Sequence, residues 1–494
     1  MKWALLSVWD KEGILELART LHAQGFGILS SGGTGRALEG AGIPFEEVSS
    51  YTGVPEMMEG RVKTLHPLVH GGILGRRGID DATMVQQGIR QIELVVVNLY
   101  PFEKMALKDL SLPELVEYID IGGPALIRAA AKNYRDVAVV VDPADYPWVE
   151  ESLRAGGLSE EMRLGLARKA FARTAAYDAS ISNYLHGLAS ELPEVFTVQL
   201  WNGRILRYGE NPHQIGAVYG NRGIAGCESA GGKAMSYNNY LDLDAAASLL
   251  AEFDLPCAVI VKHNNPCGVA NDQSIGEAYV RAREVDPEAA YGSVVALNRE
   301  VDPDLATAIT STYVEVVIAP SYHAGSLEIL AGKANMRVLT LPPPIREDEI
   351  RSISGGALLQ RTPEVTEHWK VVTERDPEPR EFRALQLAWK VVAHAKSNAI
   401  VFADESSVIG IGAGQVSRVD AAKIAVQKAR RPLVGSAVAS DAFLPFPDTL
   451  EVAAEAGATA LVQPGGSIRD AEVIEAANRL HMAMVFTGVR HFRH

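Results

Sequence analysis

Residues 259–268 read VIVKHNNPCG, and the second half of the chain is organised around this stretch. The three β-branched residues at its start predict a short buried strand, and Pro266 and Gly268 predict the end of that strand. Lys262 and His263 lie between strand and breaker, together with two asparagines. The stretch therefore predicts a cation, an imidazole and amide groups at a strand end, where α/β folds place their chemistry. Taken alone, a polar loop with a satisfied histidine is the simpler interpretation.

The composition indicates a multidomain globular protein. A chain of 494 residues exceeds one ordinary core, so two to four domains are expected. Hydrophobic residues make up 47% and charged residues 22%, and no apolar run reaches the roughly 18 residues of a membrane span. The first residues, MKWALLSVWDKEG, fit a strand better than a signal peptide. We therefore expect no membrane partner.

The net charge limits the classes of partner that are expected, and the cysteine content indicates the cellular compartment. The net charge of −14 disfavours nucleic acid as a partner of the whole surface, so anionic small substrates need local basic pockets. Three cysteines without paired spacing suggest neither a disulfide framework nor a thiolate metal cage. A reducing cytoplasm is the simplest compartment, and we expect no transition metal.

The N-terminal part alternates strands with helices. A strand over residues 4–8 is followed by Asp10, which is expected to cap a helix with Ile14, Leu17 and Leu21 on its buried face. The next strand, residues 27–29, runs into the glycine-rich turn SSGGTG at 30–35 and then a helix. Such a corner offers backbone N–H groups and a positive helix end to an anion. It lacks the Gly-Lys-Ser/Thr ending of a Walker loop, and a tight turn without a ligand is the alternative interpretation.

Two further polar groups follow in this part. Residues 61–67, RVKTLHP, precede His70, and Pro67 argues against the helix that a His66–His70 metal pair would need. A phosphate or carboxamide pocket therefore fits the segment better. The buried strand 94–99 ends in polar groups, and residues 119–124 open a helix that carries Arg128 and Lys132 at i, i+4.

The remaining pattern suggests where domains begin and end. Residues 145–188 read as helical, with Phe171, Ala175, Asp178, Ile181 and Leu185 along one face, and periodicity is lost afterwards. We predict domains at 1–195 and 196–494. Strands and helices recur after residue 380 in the order seen before it, so the second domain is predicted to hold two α/β subdomains, roughly 200–365 and 366–494. Glu315, within the apolar run 314–319, needs a buried partner.

Ten short motifs, which follow one another along the chain, resemble those of one protein family. Its members combine phosphoribosylaminoimidazolecarboxamide formyltransferase and IMP cyclohydrolase, two activities of purine biosynthesis, in one chain. The motifs span essentially the whole chain: SGGTG, RVKTLHP, VVVNLYPF, IDIGGPALIRAAAKN, LRYGENPHQ, VKHNNPCG, AYGSVVAL, IGIGAGQVSR, SDAFLPF and PGGSIRD. The resemblance implies an N-terminal doubly wound parallel sheet like that of methylglyoxal synthase, which carries the cyclohydrolase. It also implies a C-terminal formyltransferase built from two cytidine-deaminase-like α/β units, and a homodimer with shared transferase sites.

The resemblance also implies the two reactions. The first transfers a formyl group from 10-formyltetrahydrofolate, a cosubstrate, to the 5-amino group of 5-aminoimidazole-4-carboxamide ribonucleotide. The second closes the ring of the formamido product to IMP with loss of water. By resemblance His263 is the proton acceptor of the first step and Lys262 its transition-state stabiliser, and the residue types suit those tasks. Lys132 is carried over as the proton donor or acceptor of the second step, with Lys63, Tyr100 and Asp120 in support.

The binding residues implied by the resemblance form three sets. The residues implied to line the cyclohydrolase nucleotide site are Trp9, Asp10, Lys11, Ser31, Gly32, Gly33, Thr34, Arg61, Val62, Thr64, Val97, Asn98 and Ile121. The transferase nucleotide site takes Arg207, Tyr208, Gly292, Glu315, Asn398, Arg418, Phe443 and Arg490. The folate site takes Asp448, Ser467 and Ile468. Two positions depart from the family pattern: Trp9 replaces a small or phenolic residue, and Glu315 stands where some relatives carry Asp.

Three alternatives remain at this point. A zinc nucleoside deaminase is suggested by Pro266-Cys267, but the position of its second cysteine is Ala270 and no glutamate follows His263. A catalytically silent nucleotide-binding or regulatory protein has the same folds, which fold alone does not exclude. A methylglyoxal synthase would leave the second half of the chain unexplained.

Overall fold

The computed structural model describes residues 2–188, 192–345, 348–361 and 367–494. The chain divides into two compact units, Met1–Gln199 and Leu200–His494. The subdomain boundary predicted at residues 365–366 lies outside the described residues. Within those residues, no helix is both long and apolar enough to cross a membrane.

Unit 1 alternates strands with helices along its length. Its strands are β1 (Lys2–Val8), β2 (Phe26–Ser30), β3 (Glu46–Glu47), β4 (Ile92–Asn98) and β5 (Ala138–Val140). Its helices are α1 (Ile14–Ala23), α2 (Gly32–Gly40), α3 (Val48–Thr52), α4 (Pro67–Leu74), α5 (Asp81–Gln86), α6 (Phe102–Met105), α7 (Leu112–Val116), α8 (Gly122–Lys132), α9 (Tyr146–Arg154) and α10 (Glu160–Gly187).

The unit 1 sheet is parallel throughout, in the order β3-β2-β1-β4-β5. Helix α1 packs on α9, whereas α8 packs on α4 and α10, and one buried core holds the layers together. This confirms the predicted doubly wound sheet. The strand order reverses between β1 and β4, and their carboxyl ends define the crevice in which such sheets bind ligands.

Three local predictions in unit 1 are wrong. Helix α1 begins at Ile14 with Gly13 at its N-cap, and Asp10 instead accepts the backbone N–H of Glu12. Pro67 does not prevent a helix but begins α4, where a missing N–H costs nothing, and His66 caps it by accepting from Leu68 N. Along α10 the buried face is formed largely by small residues and Tyr177, so four residues of the predicted stripe are exposed and only Ile181 packs against the core.

The described residues of unit 2 form two larger sheets and two separate two-stranded antiparallel sheets, β6-β7 and β13-β14. Its strands are β6 (Arg204–Ile205), β7 (Ala217–Val218), β8 (Cys257–Lys262), β9 (Asn265–Asn271), β10 (Ser293–Leu297), β11 (Val314–Ala319), β12 (Arg337–Thr340), β13 (Glu349–Ile353), β14 (Gly356–Gln360), β15 (Lys370–Val371), β16 (Ile400–Ala403), β17 (Val408–Gly412), β18 (Ala437–Ser440), β19 (Ala460–Gln463) and β20 (Ala483–Phe486). Its helices are α11 (Tyr237–Leu250), α12 (Ile275–Val285), α13 (Pro287–Ala290), α14 (Pro303–Thr310), α15 (Ala324–Ala331), α16 (Pro379–Val392), α17 (Arg418–Lys428), α18 (Asp448–Glu455) and α19 (Asp470–Arg479).

The two larger sheets repeat one plan, which confirms the predicted echo. The first has the order β12-β11-β10-β8-β9, and the second has β20-β19-β18-β16-β17 with β15 added at its edge. In each, a helix leads into an antiparallel hairpin, and the later strands are parallel to one another. A shared core of α11, α16 and one face of each sheet joins the halves. The opposite faces are covered separately, by α12 and α14 and by α17 to α19.

The opening stretch is a hairpin rather than a strand followed by a breaker. Strand β8 turns into β9 through His263 and Asn264 alone, whose φ angles are 53° and 61°, as in a type I′ turn. Pro266 is accommodated because β9 is an edge strand and the pairing shifts beside it, with Ile260 opposite Gly268 and Val261 opposite Pro266.

Gly268 provides a test of this packing. A Cβ at position 268 would lie 2.0 Å from the backbone oxygen of Ala282 in α12, which is too close for any real Cβ. We expect Gly268→Ala to lower the free energy of unfolding by about 3 kcal/mol, because strand and helix must separate. Urea midpoints measure the effect. Gly356→Ala is the matched control, because nothing lies within 4 Å of that position; equal midpoints for the two variants would contradict the packing.

Candidate active sites

Two predicted ligand residues fasten the carboxyl end of β1: Thr34 from α2 and Asn98 from the end of β4. Thr34 Oγ1 accepts from Val8 N and donates to Val8 O, both at 3.0 Å. Asn98 Oδ1 accepts from the backbone N–H groups of Trp9 and Asp10 at 2.6 and 2.8 Å, and its Nδ2 donates to Asp10 O at 2.9 Å. These side chains therefore shape the 8–10 loop.

Two lysines lie at the glycine-rich corner where α2 begins. A Cβ on Gly32 would be 3.1 Å from Lys63 Nζ, and one on Gly33 would be 3.8 Å from Lys11 Nζ, so both ammonium groups border the helix N-terminus. Lys63 is 3.9 Å from Glu56, and Lys11 donates to the carbonyls of Val8 and Trp9. Burial lowers the pKa of Lys11. Backbone N–H groups and two cations together suit a phosphate.

A titratable pair lies beside this corner. Burial raises the pKa of Asp120, against the opposing influence of backbone N–H donors such as Gly123, at 2.7 Å, and of the Lys63 charge. Burial also raises the pKa of Tyr100, and the Asp120 charge adds to that shift. The Trp9 ring meets the Tyr100 ring edge-on at a centroid distance of 5.0 Å, so the departure at position 9 forms one wall of the site.

The remaining predicted residues of unit 1 differ in accessibility. Val97 is only 1% exposed and belongs to the core, so its side chain does not reach a ligand. Ser31 and Thr64 are also buried, whereas Ile121 is exposed. Arg61 forms a bidentate ion pair with Glu117. Val62 bridges back to Met57 through the backbone.

Lys132 is not brought to this group within one chain. Gly122 lies beside Thr64 at the start of α8, and Lys132 ends that helix about 15 Å further along its axis. It lines a separate cavity of about 740 Å³ with His70, Arg128 and Arg168. The role of Lys132 as proton donor or acceptor stays a prediction, and a single chain places it apart from Lys63, Tyr100 and Asp120.

Unit 2 holds a first cluster around the β8–β9 turn. Lys262 Nζ donates to Tyr291 O at 2.7 Å, immediately before Gly292. The turn borders a cavity of about 490 Å³ whose far wall, including Ile411 and Gln415, belongs to the second sheet and its loops. The turn thus faces the other α/β half.

The nucleotide residues predicted near this turn form one electrostatic group. Arg207 stacks on the Tyr208 ring at 4.6 Å and donates to its hydroxyl at 2.7 Å. Glu315 has the partner that its strand position requires, because it accepts from Asn239 at 2.8 Å and lies 3.7 Å from Arg337. Burial lowers the pKa of Arg337, whereas Glu315 opposes that shift. Sequence reasoning missed Asn239 and Arg337, which stand in no recognisable motif.

A second cluster lies at the ends of β16 and β18. Arg418 donates to Asn398 Oδ1 at 2.8 Å and to Asp441 Oδ1 at 3.0 Å. Ser397 donates to the other oxygen of Asp441, which is completely buried. Both bonds come from one terminal nitrogen of Arg418, and among the described residues its buried Nε has no hydrogen-bond partner, so the guanidinium keeps a donor for a ligand.

The tail that carries Arg490 is fastened to this cluster. Arg490 stacks on Phe492 at 4.3 Å. Arg493 exchanges backbone hydrogen bonds with Ser397, accepting from its N–H at 2.8 Å and donating to its Oγ at 3.0 Å. His491 donates its backbone N–H to Asp441 O and contacts Glu367 at 3.1 Å.

The predicted folate residues lie on the solvent side of the second half. Ile468 is fully exposed, and Ser467 Oγ accepts from Arg469 N. Asp448 begins α18 and accepts from Thr449 N, and Phe443 is partly exposed. Asp470 accepts from Ser467 N at 3.1 Å, and α19 begins at Asp470.

Glu367 gives a pH test of the tail. Burial by itself raises the pKa of Glu367. Hydrogen bonds from His491, Trp389 and Trp369 outweigh burial and lower this pKa to about 2. A depressed carboxyl pKa contributes stability that is complete above the unfolded value and disappears as the pH falls towards 2. Urea midpoints of wild type and Glu367→Gln should therefore differ most above pH 5 and converge as the pH falls from 4.5 towards 2. A gap that stays constant with pH would contradict this.

Within the described residues, no group of three or more His, Cys, Asp or Glu side chains is arranged to hold a metal. Cys227, Cys257 and Cys267 are all free. Cys267 instead contacts the backbone oxygen of Ile260, as a packed thiol of the hairpin.

Comparisons with known proteins cover both units. The family described as AICARFT/IMPCHase bienzyme matches residues 130–428, and the MGS-like domain matches residues 13–125. A bifunctional purine biosynthesis protein PurH from Myxococcus xanthus (strain DK1622) is 52% identical over 512 residues, covering 99% of this chain and 100% of the relative. PurH proteins from Magnetococcus marinus (strain ATCC BAA-1437 / JCM 17883 / MC-1) and Sorangium cellulosum (strain So ce56) are each 50% identical. They cover 100% and 99% of this chain, and 99% of each relative. The chain therefore belongs to the AICARFT/IMPCHase family of bifunctional purine biosynthesis enzymes.

Proposed function

We propose that the two reactions of the family are divided between the two units of this chain. Unit 2 transfers the formyl group of 10-formyltetrahydrofolate to 5-aminoimidazole-4-carboxamide ribonucleotide. Unit 1 then closes the ring of the formamido product to give IMP and water. The observation that carries the proposal is the pair Lys262 and His263, at a two-residue turn that borders a cavity of about 490 Å³.

In formyl transfer, the 5-amino nitrogen attacks the formyl carbon. This amine is conjugated with the imidazole ring and is a weak nucleophile, so a base must take its proton as the new C–N bond forms. His263 is that base. Lys262 has three N–H donors and gives one to Tyr291 O, which leaves charge and donors for the tetrahedral oxyanion. When the bond from the formyl carbon to folate N10 breaks, N10 takes a proton and tetrahydrofolate leaves.

In ring closure, the carboxamide nitrogen attacks the formamide carbon of the same molecule. Because the step is intramolecular, binding in the correct rotamer supplies much of the rate. The corner at α2 with Lys11 and Lys63 binds the phosphate or the oxyanion. Tyr100 and Asp120, whose pKa values are both raised by burial, exchange protons as the hydroxyl of the adduct departs as water.

We also propose that the active form is a homodimer. A single chain holds Lys132 a helix length from Lys63, so the second copy is needed to supply it. Fully or largely exposed apolar side chains in unit 2, such as Ile205, Val416 and Ile468, support a surface that another copy and folate cover. Asp448, Ser467 and Ile468 are the folate side of that shared site, and the cytoplasm is the proposed compartment.

A two-stage assay tests the proposal. The purified chain receives the aminoimidazole carboxamide ribonucleotide with 10-formyltetrahydrofolate, and separately receives the formamido nucleotide alone. We expect IMP in both reactions and tetrahydrofolate only in the first. Absence of folate turnover with intact ring closure would remove the transferase assignment, and the reverse result would remove the cyclohydrolase assignment.

A further inference from the structure

The β8–β9 turn is in a backbone conformation that its own residues disfavour. His263 and Asn264 both have positive φ, at 53° and 61°, in the left-handed region that glycine adopts most easily. A residue with a side chain pays conformational energy there, and a histidine more than an asparagine. Such a turn persists when surrounding groups hold it in place.

The carboxylate of Asp242 holds this turn. One oxygen accepts the backbone N–H of Asn264 at 2.6 Å, and the other accepts that of His263 at 3.2 Å. Burial raises the pKa of Asp242, whereas these two donors lower it. Both oxygens therefore point at the two residues whose conformation needs support.

Asp242 lies on a helix that is held firmly in place. It lies in the second turn of α11, which begins with a reciprocal capping box between Ser236 and Asn239 and packs on β8 and β10. Asn239, three residues earlier and on the same face, donates to Glu315 at 2.8 Å. One face of α11 thus holds both the turn that carries His263, through Asp242, and the Glu315 carboxylate, through Asn239.

We propose that Asp242 is a positioning residue for formyl transfer, which orients the His263 imidazole by clamping the two N–H groups of its turn. The inference rests on the proposed role of His263. Asp242 does not touch the substrate in this scheme. It acts through the backbone, so its removal misplaces the base without removing a substrate contact.

The test compares Asp242→Asn and Asp242→Ala with Asp244→Asn. Asp244 lies on the same helix but is exposed and away from the turn, so it is the matched control. Since a misplacement of about 1 Å can cost about 100-fold in rate, we expect Asp242→Ala to lower kcat for formyl transfer by about that factor. Asp242→Asn keeps one acceptor and should fall between. KM for the nucleotide and ring closure by unit 1 should stay within about twofold of wild type.

Hydrogen exchange gives a second readout. The backbone amides of residues 259–268 should exchange faster in Asp242→Ala, with little change elsewhere in unit 2. Normal kcat in Asp242→Ala, or a loss shared equally by kcat and ring closure, would overturn the proposal. If His263→Ala left formyl transfer unchanged, the proposed function of His263 would fail instead, so the two failures are distinguishable.

Discussion

Replacing His263 by alanine is expected to lower formyl transfer by about 10²–10⁴-fold while leaving ring closure of supplied formamido nucleotide intact. The imidazole is the proposed proton acceptor of the amine attack, and the cyclohydrolase group lies in the other unit. Folate turnover measures the first activity, and IMP formation from the formamido nucleotide measures the second. The main loss should be in kcat, since the base acts on the reacting nitrogen rather than on binding.

His481→Ala is the matched control. His481 is exposed and has a φ of 56°, so this variant also removes an imidazole from a left-handed residue of unit 2. It should retain formyl transfer. If both variants lost the activity equally, the loss would come from the backbone conformation and not from proton transfer. If His263→Ala lost both reactions, the division between the units would be wrong.

The second large effect concerns Lys63 and Lys132 in ring closure. Lys63→Ala and Lys132→Ala should each lower that step by about 100-fold or more, with formyl transfer retained. If one subunit contributes Lys63 and the other Lys132, a dimer with one variant of each kind has one intact site. Such a dimer should recover about half of the wild-type rate of ring closure.

Co-expression of the two variants with different affinity tags isolates this mixed dimer. Dimers that carry Lys132→Ala in both subunits, purified in the same way, are the control and should stay inactive. An equally inactive mixed dimer would show that both lysines serve one subunit, or that Lys132 serves another purpose. Recovery would explain why the two side chains lie a helix length apart in one chain.

The strands could be predicted where side chains alone decide them. Near-continuous β-branched runs such as 94–99 mark buried parallel strands, and the turn at 31–35 marks the helix start between two of them. Pro67 was ambiguous for a physical reason, because proline opposes a helix interior but favours its first position. The predicted face of α10 is wrong because alanines pack closely on the buried side with Leu166 and Tyr177, whereas Phe171 and Leu185 remain exposed.

Some residues of the candidate sites could be predicted from the sequence, and others could be found only in the folded chain. Lys262 and His263 stand out because their chemistry is visible in the sequence. Asn98 and Thr34 were predicted as nucleotide contacts, yet their partners lie 88–89 and 26 residues away, a pairing that no local pattern reveals. Asp242 lies in an ordinary helix and becomes informative only when the turn is in place. A hairpin with His-Asn at its turn was missed because Asn-Gly and Asp-Gly are the usual signals.

The repeated plan of the two sheets in unit 2 has an evolutionary consequence. Duplication of one ancestral α/β gene segment would account for two hairpins of the same kind, whose turns now differ. The first is closed by a distant carboxylate and carries the imidazole. The second closes on itself, because Asp404 accepts the N–H groups of Ser406 and Ser407 and pairs with Arg431. After such a duplication, the turn of one copy could gain a catalytic role while the turn of the other copy remained structural.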